Sequence, residues 1–256
     1  MTSPIIVERS PTHAVIHLNR PDKLNALSSE MFESLTLQLN ELATDHNLRI
    51  VILTGAGDRA FCAGTDITEL TSLDATDLSK RGQHLCAQVE EFPVPVIAAV
   101  NGIAAGGGLE LVLACHLRIA SSKATFSLPE TKLGLIPGYG GTQRLTRELG
   151  VGRALDLMLT GKSITADEAF DFGLLNRVVP PNDLLAEAFS LVEIISKLSP
   201  LSIKACMKTV IKGLDMNIED GLKLETQLFA SLVETEDARE GTTAFLEKRS
   251  PVFKGR

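Results

Sequence analysis

The stretch Pro95–Cys115, PVIAAVNGIAAGGGLELVLAC, constrains the fold more than any other part of the chain. Its opening residues, Pro95 to Val100, form an uninterrupted apolar run of strand length, the pattern of a buried strand. Asn101-Gly102 follows as a turn signal. Gly106-Gly107-Gly108 then leads into an apolar helix expected over Leu109–Cys115. A glycine inside a helix costs roughly 1 kcal/mol relative to alanine, so three in succession at a helix start point to a group that must approach bare backbone closely. A helix start also presents N–H groups without intrahelical partners and a partial positive charge. That suits an anion, or an oxygen that becomes anionic during a reaction. Glu110 falls in the first turn. On a solvated face it would only complement the helix dipole, but Leu109, Leu111, Val112 and Leu113 make this helix apolar nearly all round. A carboxylate there can exchange protons with whatever the N–H groups hold.

Around this stretch strands and helices alternate. Strands are expected over Ile5–Glu8, Thr12–Leu18, Arg49–Thr54 and Leu117–Ala120, with a short apolar piece at Ala124–Leu128 and a segment closing the α/β core at Leu174–Val179. Ser28 or Ser29 caps a helix with an apolar stripe of Met31, Leu35, Leu39 and Leu42, and a second helix runs from Asp77 to Phe92. Others are expected from a Thr142 cap to Leu149, over Val151–Leu159, and over Thr165–Phe172 with Gly173 as its stop. Beyond Pro180-Pro181 the pattern is helical throughout: Leu184–Leu198, Leu201–Gly213, Asn217–Val233 and Asp237–Lys248. The reading is an α/β core over residues 1–195 and a helical C-terminal region over 196–256, with no linker between them.

Several function classes drop out. The net charge of −7 argues against nucleic-acid binding through global charge. No apolar run approaches the roughly 18 residues that span a membrane, and MTSPIIVERSP lacks the basic and apolar regions of a signal peptide. Cys62, Cys86, Cys115 and Cys206 form no CxxC pair and read as thiols in a reducing, cytoplasmic setting. His13 and His17 share a strand face nearly 13 Å apart by the usual rise, too far for one metal. Gly55–Ala60 fits the loose form GxGxxA, but Phe61–Asp66 continues with small residues where a dinucleotide-binding turn needs a helix. Gly161-Lys162-Ser163 mimics the end of a phosphate-binding loop, yet Asp156 stands where that loop needs glycine.

Three stretches together resemble the enoyl-CoA hydratase/isomerase, or crotonase, family: LNRPDKLNAL (Leu18–Leu27), FCAGTD with Ile67 after it (Phe61–Asp66), and Val96–Leu145, which contains VIAAVNGIAAGGGLEL and SLPETKLGLIPGYGGTQRL. The C-terminal EDAREGTTAFLEKRSPVF is similar too. The resemblance implies a spiral of ββα turns with a helical C-terminal region used for trimerisation, in trimers or paired trimers. It implies an acyl-CoA thioester as substrate, with no separate cofactor and no metal. The thioester oxygen would sit between the backbone N–H groups of Thr65 and Gly107; Thr65 stands where many relatives have alanine. Glu110 and Glu130 match the two glutamates of hydratases, and Gly138 a loop glycine that helps hold the water. Leu24, Ala26 and Ala63 match positions around the adenine, and Asp66 and Ile67 the segment along the pantetheine. Thr68 stands where a lysine is frequent, which leaves Arg59 or Lys248 as candidate phosphate contacts. Residues 71–84 and Tyr139 are candidate walls of the acyl pocket; for Tyr139, plain packing is an equal alternative.

The implied activity is reversible hydration of a trans-2-enoyl-CoA, as in fatty-acid or amino-acid breakdown. As water adds to C3, negative charge moves onto the thioester oxygen, where two fixed N–H donors stabilise it. One carboxylate takes a proton from water and an acid delivers one to C2. The resemblance gives Glu110 the base role and Glu130 the acid role, although two close carboxyls titrate as a pair. The alternatives are double-bond isomerisation, hydration of a branched or cyclic enoyl-CoA, and a CoA- or RNA-binding scaffold without turnover.

Overall fold

A computed structural model describes residues 3–70 and 74–256. The early elements are β1 (Ile5–Arg9), β2 (His13–Leu18), α1 (Ser29–Ala43), β3 (Ile50–Gly55), β4 (Ala60–Cys62), α2 (Ile67–Leu70) and α3 (Ala75–Glu90). The centre of the chain holds β5 (Val96–Val100), β6 (Ile103–Ala105), α4 (Gly107–Ala114), β7 (Leu117–Ser121), β8 (Thr125–Ser127), α5 (Gly141–Leu149) and α6 (Val151–Thr160). Next come β9 (Ser163–Thr165), α7 (Ala166–Asp171), β10 (Arg177–Val179) and α8 (Leu184–Ile195). The chain ends in α9 (Pro200–Gly213), α10 (Ile218–Val233) and α11 (Glu236–Glu247).

Two sheets result, ordered β1-β2-β3-β5-β7-β10 and β4-β6-β8-β9. Only the outer pairs β1/β2 and β8/β9 are antiparallel. In the central repeats the first strand joins the larger sheet, the second joins the smaller one, and a helix follows, as the ββα expectation requires. The larger sheet is covered on both faces, and this explains its unbroken apolar runs. In β3, Val51 and Leu53 join the core shared with α1, α3 and α4, while Ile50 and Ile52 face Leu184, Ala188, Leu191 and Val192 of α8. The helices α9 and α10 pack on each other but contain no fully buried residue, and Leu214, Ile218, Phe229 and Val233 on them are exposed.

Two details differ from the sequence reading, and one alternative that it left open is decided. The short strands β4, β6 and β9 were hidden, because three residues are too few to show a period of two. Thr142 does not cap α5; Gly140, at φ +104, stands at that position and lets the chain turn into the helix from the left-handed region. Of the two serines offered as caps of α1, Ser28 fills the role, its hydroxyl accepting from Met31 N–H.

Candidate active site

The glycine triplet has a different neighbour at each position. Gly106 has φ +52, open to glycine alone at its ψ of −128, and a Cβ there would sit 3.1 Å from Glu130 Oε1. A Cβ on Gly107 would lie 2.7 Å from the Tyr139 ring, and one on Gly108 only 2.0 Å from the Cys62 carbonyl oxygen. The bare backbone expected to admit a ligand is therefore crowded on two sides by the protein itself. What stays open is the N–H of Gly107: neither it nor the N–H of Thr65 has an acceptor among the described residues. These two residues come together because Gly64, at φ +95, bends the chain after β4; a Cβ on Gly64 would be 3.6 Å from Gly107 N. Leu27 fixes the bend from the other side, its N–H donating to Gly64 O at 2.8 Å and its carbonyl accepting from Asp66 N–H at 2.9 Å.

Glu110 projects from α4 into the interior and is 1 % exposed. Its Oε1 accepts from Tyr139 N–H and Gly141 N–H, both at 2.7 Å. Burial pushes its carboxyl up to about 7; the two N–H bonds and Arg144 oppose this, and the nearby charge of Glu130 adds to it. Glu130 opens a short 3-10 turn over Glu130–Leu133, anchored where the Thr131 hydroxyl donates to Met158 O at 2.7 Å. Burial raises Glu130 as well, and its Oε2 is buried with no partner among the described residues. The charge of Glu130 thus reaches Glu110, and burial works against the ionised form of each.

Folding binds the Glu110 proton more tightly than the unfolded chain does. The stability tied to this group is therefore fully present below its ordinary value of 4.5 and is lost as pH rises through about 7. At ~1.4 kcal/mol per pH unit the loss is roughly 3 kcal/mol. Glu110→Gln removes the penalty, and its amide oxygen still accepts from Tyr139 and Gly141. The variant is expected to melt several degrees above the wild type at pH 8 and to lose most of that advantage at pH 5. An advantage equal at both pH values would refute this account of the group.

The loop behind the acids is braced by residues to which the sequence reading gave no such role. Arg144 pairs with Glu90 through two bonds of 3.0 and 2.8 Å and donates to Tyr139 O at 3.1 Å. Ser79 and Gln83 of α3 donate to Gly138 O at 2.7 and 3.2 Å. Gly138 is thus held through its carbonyl, and its N–H has no acceptor among the described residues. Asn25, fully buried at φ 56, donates to Ala56 O and Ala60 O and accepts from Arg20 N–H. Asparagine tolerates the left-handed region and bonds nearby backbone, so that signal was available in LNRPDKLNAL.

The residues matched to the CoA moiety lie along one edge. Ala63 N–H donates to Leu24 O at 3.0 Å, and Arg20 bridges Ala26 O and the Asp66 carboxylate at 2.7 and 2.9 Å. Asp66 is held below its ordinary range first by the Thr68 hydroxyl and then by Arg20. Its carboxylate braces the loop, and Ile67 beside it is 61 % exposed. Arg59 and Lys248 are exposed. Of the expected pocket walls, Thr71, Ser72 and Leu73 lie outside the described residues; the remainder falls on α3 and its Asp74 cap. A cavity of about 850 Å³ lies between α3, α5 and α9, but Thr65, Gly107, Glu110 and Glu130 do not line it.

Residues 8–256 match the family model described as enoyl-CoA hydratase/isomerase. The chain belongs to the enoyl-CoA hydratase/isomerase family. It is 40 % identical over 248 residues to a short-chain-enoyl-CoA hydratase of Clostridium acetobutylicum, covering 96 % of this chain and 95 % of that one. It is also 40 % identical over 255 residues to an (E)-benzylidenesuccinyl-CoA hydratase of Thauera aromatica, covering 98 % and 99 %. The crystal structure of an enoyl-CoA hydratase from Bacillus anthracis superposes with a TM-score of 0.95 at 41 % identity, covering 99 % of this chain and all of that one. The fold is that of this crotonase family. Two relatives at equal identity are named for very different acyl groups, so overall identity does not select the substrate.

Proposed function

We propose that this chain adds water reversibly to the double bond of a trans-2-enoyl-CoA, giving a 3-hydroxyacyl-CoA. One observation carries the reading: the buried carboxyl of Glu110 and the half-buried carboxyl of Glu130, whose charge reaches Glu110, share a site with the unpartnered N–H groups of Thr65 and Gly107. Moving a double bond needs one group to carry a proton between two carbons. Adding water needs a second, because the nucleophile must be deprotonated while C2 is protonated. The bonding supports a division of labour. Two N–H donors favour the ionised form of Glu110, which takes a proton from the water attacking C3. The unpartnered oxygen of Glu130 favours the neutral form, which gives its proton to C2. The pair carries one proton throughout, and the reverse reaction runs through the same groups. Thr65 and Gly107 take the charge that reaches the thioester oxygen.

The exposed apolar residues on α9 and α10, continuing through Phe245 and Leu246 of α11, support a homotrimer or a pair of trimers assembled through residues 196–256.

The test is addition of the purified protein to crotonyl-CoA and to longer and aryl-substituted enoyl-CoAs. The expected result is loss of the ultraviolet absorbance of the conjugated thioester, with label from ¹⁸O water at C3 of the product. A 3-enoyl-CoA product without label would favour isomerisation, and acyl-CoA binding without any product would favour a scaffold. Light scattering on the same preparation reads the assembly, and a mass of one chain would sink that part.

A further inference from the structure

Tyr139 does more than its packing requires. Its ring fills the space between α3 and the start of α4: a Cβ on Gly82 would lie 2.0 Å from it, and one on Gly107 would lie 2.7 Å away. Phe32 meets it edge-on with centroids 5.6 Å apart. These contacts account for an aromatic ring, but not for a hydroxyl. The phenol oxygen lies 2.7 Å from Thr65 Oγ1. The phenol thus reaches from Gly107 to Thr65, the two residues whose N–H groups are unpartnered.

Counting hydrogens sharpens the point. Tyr139 and Thr65 each carry one O–H hydrogen, and their mutual bond uses only one. No other acceptor among the described residues takes the second, whichever of the two donates. Where Thr65 donates, the spare hydrogen belongs to Tyr139, which is 5 % exposed, and an unmade hydrogen bond there is costly; where Tyr139 donates, it belongs to the half-buried Thr65. We infer that the Tyr139–Thr65 hydroxyl pair supplies a third, side-chain hydrogen-bond donor to the acyl-thioester oxygen, beside the main-chain N–H groups of Thr65 and Gly107. This rests on the hydratase reading above. Burial supports it separately by pushing the phenol up to about 12, which keeps its proton in place at any working pH. The same residue's N–H holds Glu110, so one tyrosine ties the acid/base side of the site to the oxyanion side.

Tyr139→Phe tests the inference, because phenylalanine keeps the ring in its slot and removes only the hydroxyl. Its kcat on crotonyl-CoA is expected to fall roughly 10- to 100-fold with KM nearly unchanged, at or below the loss of a main-chain donor to a developing charge. Two non-reacting ligands isolate the effect. Acetoacetyl-CoA can ionise to an enolate that shares its charge with the thioester oxygen, whereas butyryl-CoA stays uncharged there. The variant should lose roughly tenfold in affinity for the first and little for the second. Thr65→Val keeps the N–H, should lose as much, and should add little to Tyr139→Phe, because the pair acts as one donor. Activity within twofold of wild type, equal weakening of both ligands, or losses that multiply in the double variant would overturn the inference. Inactivity of the wild type on every enoyl-CoA would instead overturn the proposed function, and the two ligands would still read the third donor.

Discussion

Glu130→Gln is expected to lower turnover of crotonyl-CoA by roughly 10²–10⁴, with acyl-CoA affinity changed only a few-fold. Glutamine matches glutamate in shape, so the Glu130–Leu133 turn and its Thr131 anchor on Met158 should persist. What is lost is a proton that can be given up. No main-chain donor among the described residues holds Glu130 Oε2, and burial favours the neutral acid, the form that protonates C2 in the proposed reaction. Glu110→Gln should cost a similar factor by a different route. Its amide oxygen keeps the bonds from Tyr139 and Gly141, but the amide cannot take a proton from water. The losses should not multiply in the double variant, since in the proposed mechanism the two carboxyls share one proton and act as a unit. Steady-state kinetics with butyryl-CoA as a competing ligand separates turnover from binding. Either single variant retaining wild-type turnover would refute the assignment of the acids.

The site was legible in the sequence where local rules decide the outcome. Gly106–Gly108 before an apolar helix, with Glu110 in its first turn, required close backbone approach and a carboxylate away from solvent; Glu110 lies in the core. Glu130 had no such signature, because a glutamate after Ser-Leu-Pro in a loop is indistinguishable from a surface residue, and only the resemblance singled it out. What brings it to Glu110 is the β7–β8 excursion between the two sheets, a long-range fact. The same limit hid the Tyr139–Thr65 bond, whose partners lie 74 residues apart, and the Glu90–Arg144 pair at 54. The cap of α5 failed for a local reason: Thr142 has the right chemistry for a cap, but a glycine two residues earlier was free to take the left-handed turn first. Helices with clear stripes, such as α1, came out within a residue or two, while three-residue strands stayed below the resolution of periodicity.

Gly108→Ala is expected to be the most destabilising single methyl group that can be added to the site. Its Cβ would lie 2.0 Å from Cys62 O, 2.7 Å from Cys62 C and 2.8 Å from Cys62 Cβ. Neither side can yield cheaply. Cys62 ends β4, which is paired with β6, and β6 runs into the glycine turn that opens α4, so the strand and the helix are parts of one short rigid loop. Overpacking usually costs ~1–3 kcal/mol and more where backbone meets backbone. At ~2–4 °C per kcal/mol for a chain of this size, a loss of ~3 kcal/mol or more lowers Tm by roughly 6–12 °C. Activity should fall further than stability alone explains, because pushing α4 off β4 moves the Gly107 N–H and Glu110 together, and a positioned donor is worth ~10²–10³ in rate. Gly152→Ala serves as the control. It lies in the first turn of α6 with nothing within 4 Å of its Cβ, so alanine should be neutral or stabilising by up to ~1 kcal/mol. Thermal and urea melts of both variants settle the matter. A Gly108→Ala protein melting within about 2 °C of the wild type, below the smallest shift ~1 kcal/mol would give, would mean that the Cys62 carbonyl does not fix α4. It would also mean that the donor geometry at Gly107 tolerates movement of the helix carrying it.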